Sequence, residues 1–147
     1  MKKAIQNLLQ SEKFRLIFPI ALIFLSGVAN GIMDTLQFHY SSSIFAHFPA
    51  SWQTWLNPST SWVLKWQIGD EGQVILKERF WGSSTWFASF TDAWHLFKFI
   101  YQNSLIAAFA FLLADLLGRD WKVFLLLFIG SKMLQMIGFT LFYDFIL

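Results

Sequence analysis

The stretch Thr91-Asp92-Ala93-Trp94-His95 sets a carboxylate and an imidazole three residues apart, a spacing that puts both on one face of a helix. Such a couple can move a proton, ligate a metal or close a helix's first turn. Asp34 and His39 offer a second carboxylate and imidazole at the end of an apolar segment. If these approach the first couple, Asp34, His39, Asp92 and His95 become candidate catalytic residues for acid–base chemistry on a lipid headgroup or small polar substrate. His39, Asp92 and His95 could equally hold a divalent metal. The plainer alternative has Asp92 and His95 bonding to each other, capping the helix and docking the segment before it. There is no HExxH motif, and His47 falls on a different expected element. Ser41, Ser42 and Ser43 beside His39 match no nucleophile elbow in order or spacing, and Gly69 and Gly72 make no phosphate loop.

A second polar set lies in more apolar surroundings. Ser26, Asn30, Asp34 and Gln37 recur at steps of four, four and three, a stripe along one helix face. Gln102 and Asn103 follow the Asp92–His95 couple, and Lys132 and Gln135 interrupt the last apolar run. Lys132 falls ten residues past Lys122, about 15 Å by helical rise and so near the midplane of a hydrocarbon core about 30 Å thick. Ionisable groups at that depth face a bundle interior or a water-filled cavity. The expectation is that Asn30, Gln102, Asn103, Lys132 and Gln135 converge below Asp34, Asp92 and His95 in one outward-opening polar pocket. Pairing of Lys132 that fixes helix register, or with a carboxylate of another subunit, is the alternative.

The elements that must position these groups follow from composition. Of 147 residues, 56% are hydrophobic and 14% charged, too oily and too poor in charge for a soluble domain's surface. The chain reads as an integral membrane protein with the lipid bilayer as its first partner. Cysteine is absent, which excludes disulfides and thiolate chemistry. A formal charge of +2 without a basic stripe gives no sign of nucleic-acid binding.

Three spans are expected, at about 16–33, 97–117 and 123–145, in a mainly all-α fold of one domain covering 1–147. The first resembles a signal peptide in its MKK start and small residues Gly27 and Ala29, but its long charged lead-in reads as a retained helix. Lys2, Lys3, Lys13 and Arg15 precede span one, and Arg119 and Lys122 lie between spans two and three. These flanks put the N-terminus in the cytoplasm and residues 34–94 outside. Gly27-x-x-x-Gly31 would let another helix approach closely, so a homo-oligomer or a membrane-complex partner is open.

Seven of the eight tryptophans fall between Trp52 and Trp94, as expected of a surface at the headgroup boundary. Ile44, Phe48, Trp52 and Trp55 suggest a short interfacial helix, broken near Pro49 and stopped by Asn57-Pro58. Two β-leaning runs around Gly69-Asp70-Glu71-Gly72 suggest a small hairpin. Ser84 or Thr85 could cap a helix leading into span two. SWVLKW, the Gly-Asp turn, ERFWGSST and TDAWHLFKF, within Asn57–Phe99, resemble a pattern of small uncharacterised bacterial membrane proteins. That resemblance implies an address in the bacterial inner membrane and nothing catalytic.

Overall fold

Ser11 opens the first long helix. Its hydroxyl accepts the Phe14 amide at 3.2 Å, satisfying one of the donors that a helix start leaves orphaned. The helix, α1, runs Glu12–Phe38 through Pro19 and outlasts the apolar core expected at 16–33, because Asp34, Thr35 and Gln37 continue its turns. In the computed structural model, residues 11–61, 66–78, 80–118 and 120–146 are described. Lys2, Lys3 and Arg119, counted above for orientation, lie outside them, as does the Trp62–Lys65 part of SWVLKW.

Two further long helices follow, α4 (Ala93–Leu116) and α5 (Trp121–Ile146). Between α1 and α4 in the chain come two short helices, α2 (Ala50–Leu56) and α3 (Pro58–Ser61), and two strands, β1 (Trp66–Ile68) and β2 (Val74–Leu76). The protein is therefore mainly helical, and α1, α4 and the Trp121–Leu141 part of α5 are each long and apolar enough to cross a membrane. The chain resolves into two units, residues 27–101 and residues 1–26 with 102–147.

In the 27–101 unit, one-turn 3₁₀ segments at Tyr40–Ser42 and Ile44–His47 lead to α2. Pro49 stands at the N-cap of α2, where its fixed φ and missing amide cost nothing. Asn57 closes α2 and opens α3, its side chain accepting the Ser59 amide at 3.0 Å. The expected interfacial helix is thus two pieces, the 3₁₀ turn Ile44–His47 and α2, broken at Pro49 and stopped at Asn57 as expected, and its aromatic spacing survives as a ring ladder, Phe45–Phe48–Trp52–Trp55. The Tyr40 hydroxyl donates to Gln53 Oε1. Gln53 Nε2 donates to the carbonyls of Phe45 and Phe48 at 3.2 and 2.9 Å. This clamp ties the 3₁₀ turns to α2.

The expected hairpin is present: β1 and β2 pair antiparallel with Gln67 opposite Ile75. Gly72, at φ +81, takes the left-handed position that closes a three-residue hairpin loop. Leu36, Leu56 and Ala93 form a buried cluster, flanked by Ile32, Tyr40, Phe45, Trp55, Trp94 and Phe97.

In the other unit, rings of Phe14, Phe18, Phe111 and Phe124 stack edge to face, and Arg15 pairs with Asp115. Gly118, at φ +60, terminates α4 in a left-handed turn. Asp120 then caps α5 by accepting the Lys122 amide at 3.1 Å.

Candidate functional site

The start of α4 is where the sequence's candidate chemistry is concentrated. The segment before it is shaped by Glu78. Its carboxylate accepts the amides of Ser83 and Ser84, each at 3.1 Å, and the Ser84 hydroxyl. The hydrogen bond from that hydroxyl, reinforced by the backbone amides, holds the Glu78 carboxyl below the usual carboxylate range. Gly82, at φ +75, lets the chain fold back so that the Phe87 amide reaches the Gly82 carbonyl at 2.9 Å. Residues 81–87 are consequently turns. The helix expected to begin near Thr85 begins at Ala93, because Ser83 and Ser84 spend their amides on Glu78.

Asp92 is the N-cap in their place. It is fully buried, and Oδ1 accepts the His95 amide at 2.9 Å. Both carboxylate oxygens stand 2.8 Å from His95 Nδ1, and the Thr91 hydroxyl is 3.2 Å from Oδ2. A carboxylate accepts hydrogen bonds, so Nδ1–H is the donor in this contact. The arrangement adds a side-chain bond to the backbone cap. It can hold an imidazole in one tautomer, and it satisfies a charge removed from solvent. The positive end of the α4 dipole favours the carboxylate further.

Aromatic residues surround the couple. The Trp94 ring meets His95 edge-on at 4.9 Å, and Lys98 Nζ stands 4.9 Å from the centre of the same ring. Trp94 Nε1 donates to Gln37 Oε1 at 3.1 Å, joining the ends of α1 and α4. Trp55 Nε1 donates to the Phe90 carbonyl at 3.3 Å, joining α2 to the turn before α4. Each bond links residues distant in sequence through an indole that the sequence marks only as an interfacial anchor.

The other expected site residues are placed differently. Asp34 and Asn30 are exposed on α1, away from its buried stripe of Ser26, Ala29, Met33 and Leu36. His39 is exposed and precedes the 3₁₀ turn at Tyr40–Ser42. Among the described residues, no three His, Asp or Glu side chains come together as a metal-holding group. Asp92 and His95 are therefore brought together, without His39 completing a metal-holding group. Gln102 and Asn103 are half-buried on α4. Lys132 donates to Gln135 Oε1 at 2.9 Å on α5.

No family model, curated protein or solved structure matches this chain. The three long apolar helices make it a small polytopic membrane protein in contact with lipid.

Proposed function

We propose that this is a bacterial inner-membrane protein, N-terminus in the cytoplasm, whose outward segment, residues 34–94, serves binding or assembly at the headgroup boundary. The observation that carries the reading is the turn clasped by Glu78: it presents Trp81 and Trp86, 83% and 85% exposed, a few residues before the membrane helix α4. Trp52, Trp66, Phe87 and Phe90 are also exposed. Water disfavours so much open indole and phenyl surface, whereas headgroups or a partner protein accept it. The resemblance of ERFWGSST and TDAWHLFKF to small bacterial membrane proteins supports the same address. In this reading the polar residues expected to line an outward-opening pocket serve a ligand or a neighbouring subunit. Vesicles with lipids brominated at graded acyl depths test the proposal. Shallow bromines quench the fluorescence of the intact protein more than deep ones do, and the shallow component falls in Trp81→Phe and Trp86→Phe. Equal quenching in both variants and the parent, with full access to aqueous iodide, would refute it.

One contact favours a second reading, an integral-membrane enzyme acting on a lipid or headgroup. A carboxylate that holds Nδ1–H of a histidine fixes the ring's orientation, as acid–base chemistry requires of an imidazole. Purified protein incubated with defined phospholipids, with and without divalent metal, checks it against His95→Gln. Absence of any product in the parent, or product unchanged in the variant, removes the reading.

A further inference from the structure

Lys132 is eleven residues past Trp121 in a span that ends at Leu141, about 16 Å along an axis of roughly 30 Å. It therefore lies at the centre of α5. Its hydrogen-bond partner is Gln135, a neutral amide on the same helix. A charge at this depth pairs with an opposite charge or faces water, so the source of the countercharge can be sought among the chain's carboxylates. There are nine. Asp70, Glu71, Glu78, Asp92 and Asp120 are outside the three long helices, and Glu12, Asp34, Asp115 and Asp144 are within four residues of a helix end. None has a mid-span position, and a second copy of the chain brings the same nine.

The surface around Lys132 has the spacing of a helix-docking seam. Leu125, Ile129, Lys132, Met136 and Phe139 follow steps of four, three, four and three, the repeat that keeps one line of side chains against a partner helix. The four apolar members are 41–61% exposed. Phe124, Leu127, Phe128, Ser131 and Gln135 form a neighbouring half-buried strip. A lysine at the middle of an otherwise apolar seam sets register and partner choice, as single polar seam residues do in coiled coils. Two copies meeting symmetrically through this seam would bring like charges together in a medium that screens them poorly.

We propose that α5 docks within the bilayer against a membrane helix of a different protein that carries a carboxylate at mid-depth, the seam running from Leu125 to Phe139 with Lys132 meeting that carboxylate. The proposal rests on the reading of α5 as a membrane span and gives the assembly role of this protein a partner of defined chemistry.

The test uses the full-length chain, whose lack of cysteine allows a single fluorophore at Leu147→Cys. In phosphatidylcholine vesicles, energy transfer is measured to synthetic transmembrane leucine–alanine peptides with Glu, Gln or Leu at the central position. The Glu peptide associates at least about tenfold more tightly than the Leu or Gln peptide. Lys132→Leu abolishes the preference and Lys132→Arg keeps it. Lys132→Glu transfers it to a peptide with central Lys. Ile129→Ala weakens association, while Leu134→Ala, on the opposite exposed face, leaves it unchanged. Equal association of the three peptides with the parent would overturn the proposal, and so would a Glu preference that survives in Lys132→Leu. Deuterium exchange over residues 121–141 in the same vesicles separates the two levels. Fast exchange there would sink the membrane reading itself, whereas protected amides with no Glu preference would sink only the partner.

Discussion

Replacing Asp92 by alanine probes the most connected polar group at the start of α4. The substitution removes the acceptor of the His95 amide, a loss of about 1 kcal/mol for a helix cap. It also removes the carboxylate held by His95 Nδ1. A hydrogen bond to a charged group contributes about 1.5–3 kcal/mol when buried, but the His95 side chain is 33% exposed and water recovers part of that, leaving roughly 1 kcal/mol. The Thr91 hydroxyl keeps the Ala88 carbonyl at 2.7 Å and adds little. The sum is about 2 kcal/mol for Asp92→Ala, against about 1 kcal/mol for Asp92→Asn, whose amide oxygen still caps. Unfolding in mixed micelles, titrated with dodecyl sulfate and followed by circular dichroism, measures both. A double-mutant cycle with His95→Ala should return a coupling of about 1 kcal/mol. Asp92→Ala within 0.5 kcal/mol of the parent, or Asn as costly as Ala, would refute the assignment of this carboxylate as the cap.

Glu78 makes the clasped turn sensitive to acid. Its carboxyl titrates low when folded, so its stabilisation is present above the ordinary glutamate value of about 4.3 and is lost as pH falls through the lower folded value. Exchange of the Ser83 and Ser84 amides should therefore accelerate in that acid window in the parent, and be fast and pH-insensitive after intrinsic correction in Glu78→Ala. Gly118→Ala forces a side chain into a left-handed turn and should cost about 1 kcal/mol in the same micelle titration; no change would mean that the α4 terminus relaxes freely. Gln53→Ala should cost about 1–2 kcal/mol by releasing two carbonyls and the Tyr40 hydroxyl. Burial holds the Tyr40 phenol above its usual range, and the bond it donates to Gln53 Oε1 favours the protonated form, so phenolate absorbance in the variant should move to lower pH.

The large elements were legible because each is written locally. Uninterrupted apolar runs mark the spans, and glycines around Asp70-Glu71 mark the hairpin. The three-residue step from Asp92 to His95 announces a shared helix face, and both the cap and the couple follow from it. Features that depend on distant partners were not legible. Ser83 and Ser84 look like helix starters until Glu78 takes their amides. Gln53 looks like a surface glutamine until Tyr40, thirteen positions earlier, reaches it. Asp34 and Asn30 share a stripe with Ser26 in the sequence, yet the buried face of α1 runs through Ala29, Met33 and Leu36. Which flank of a helix turns inward is decided by the residues that meet it, and periodicity alone does not name them.

The link between α4 and α5 is only residues 117–120, with a left-handed glycine and a capping aspartate among its members. So short a tether leaves no slack for one helix to settle while its neighbour waits outside. During synthesis the two helices should therefore enter lipid together, with Lys132 crossing in the company of α4. Lengthening the tether with flexible residues would uncouple those two arrivals and expose the charged helix to the bilayer alone.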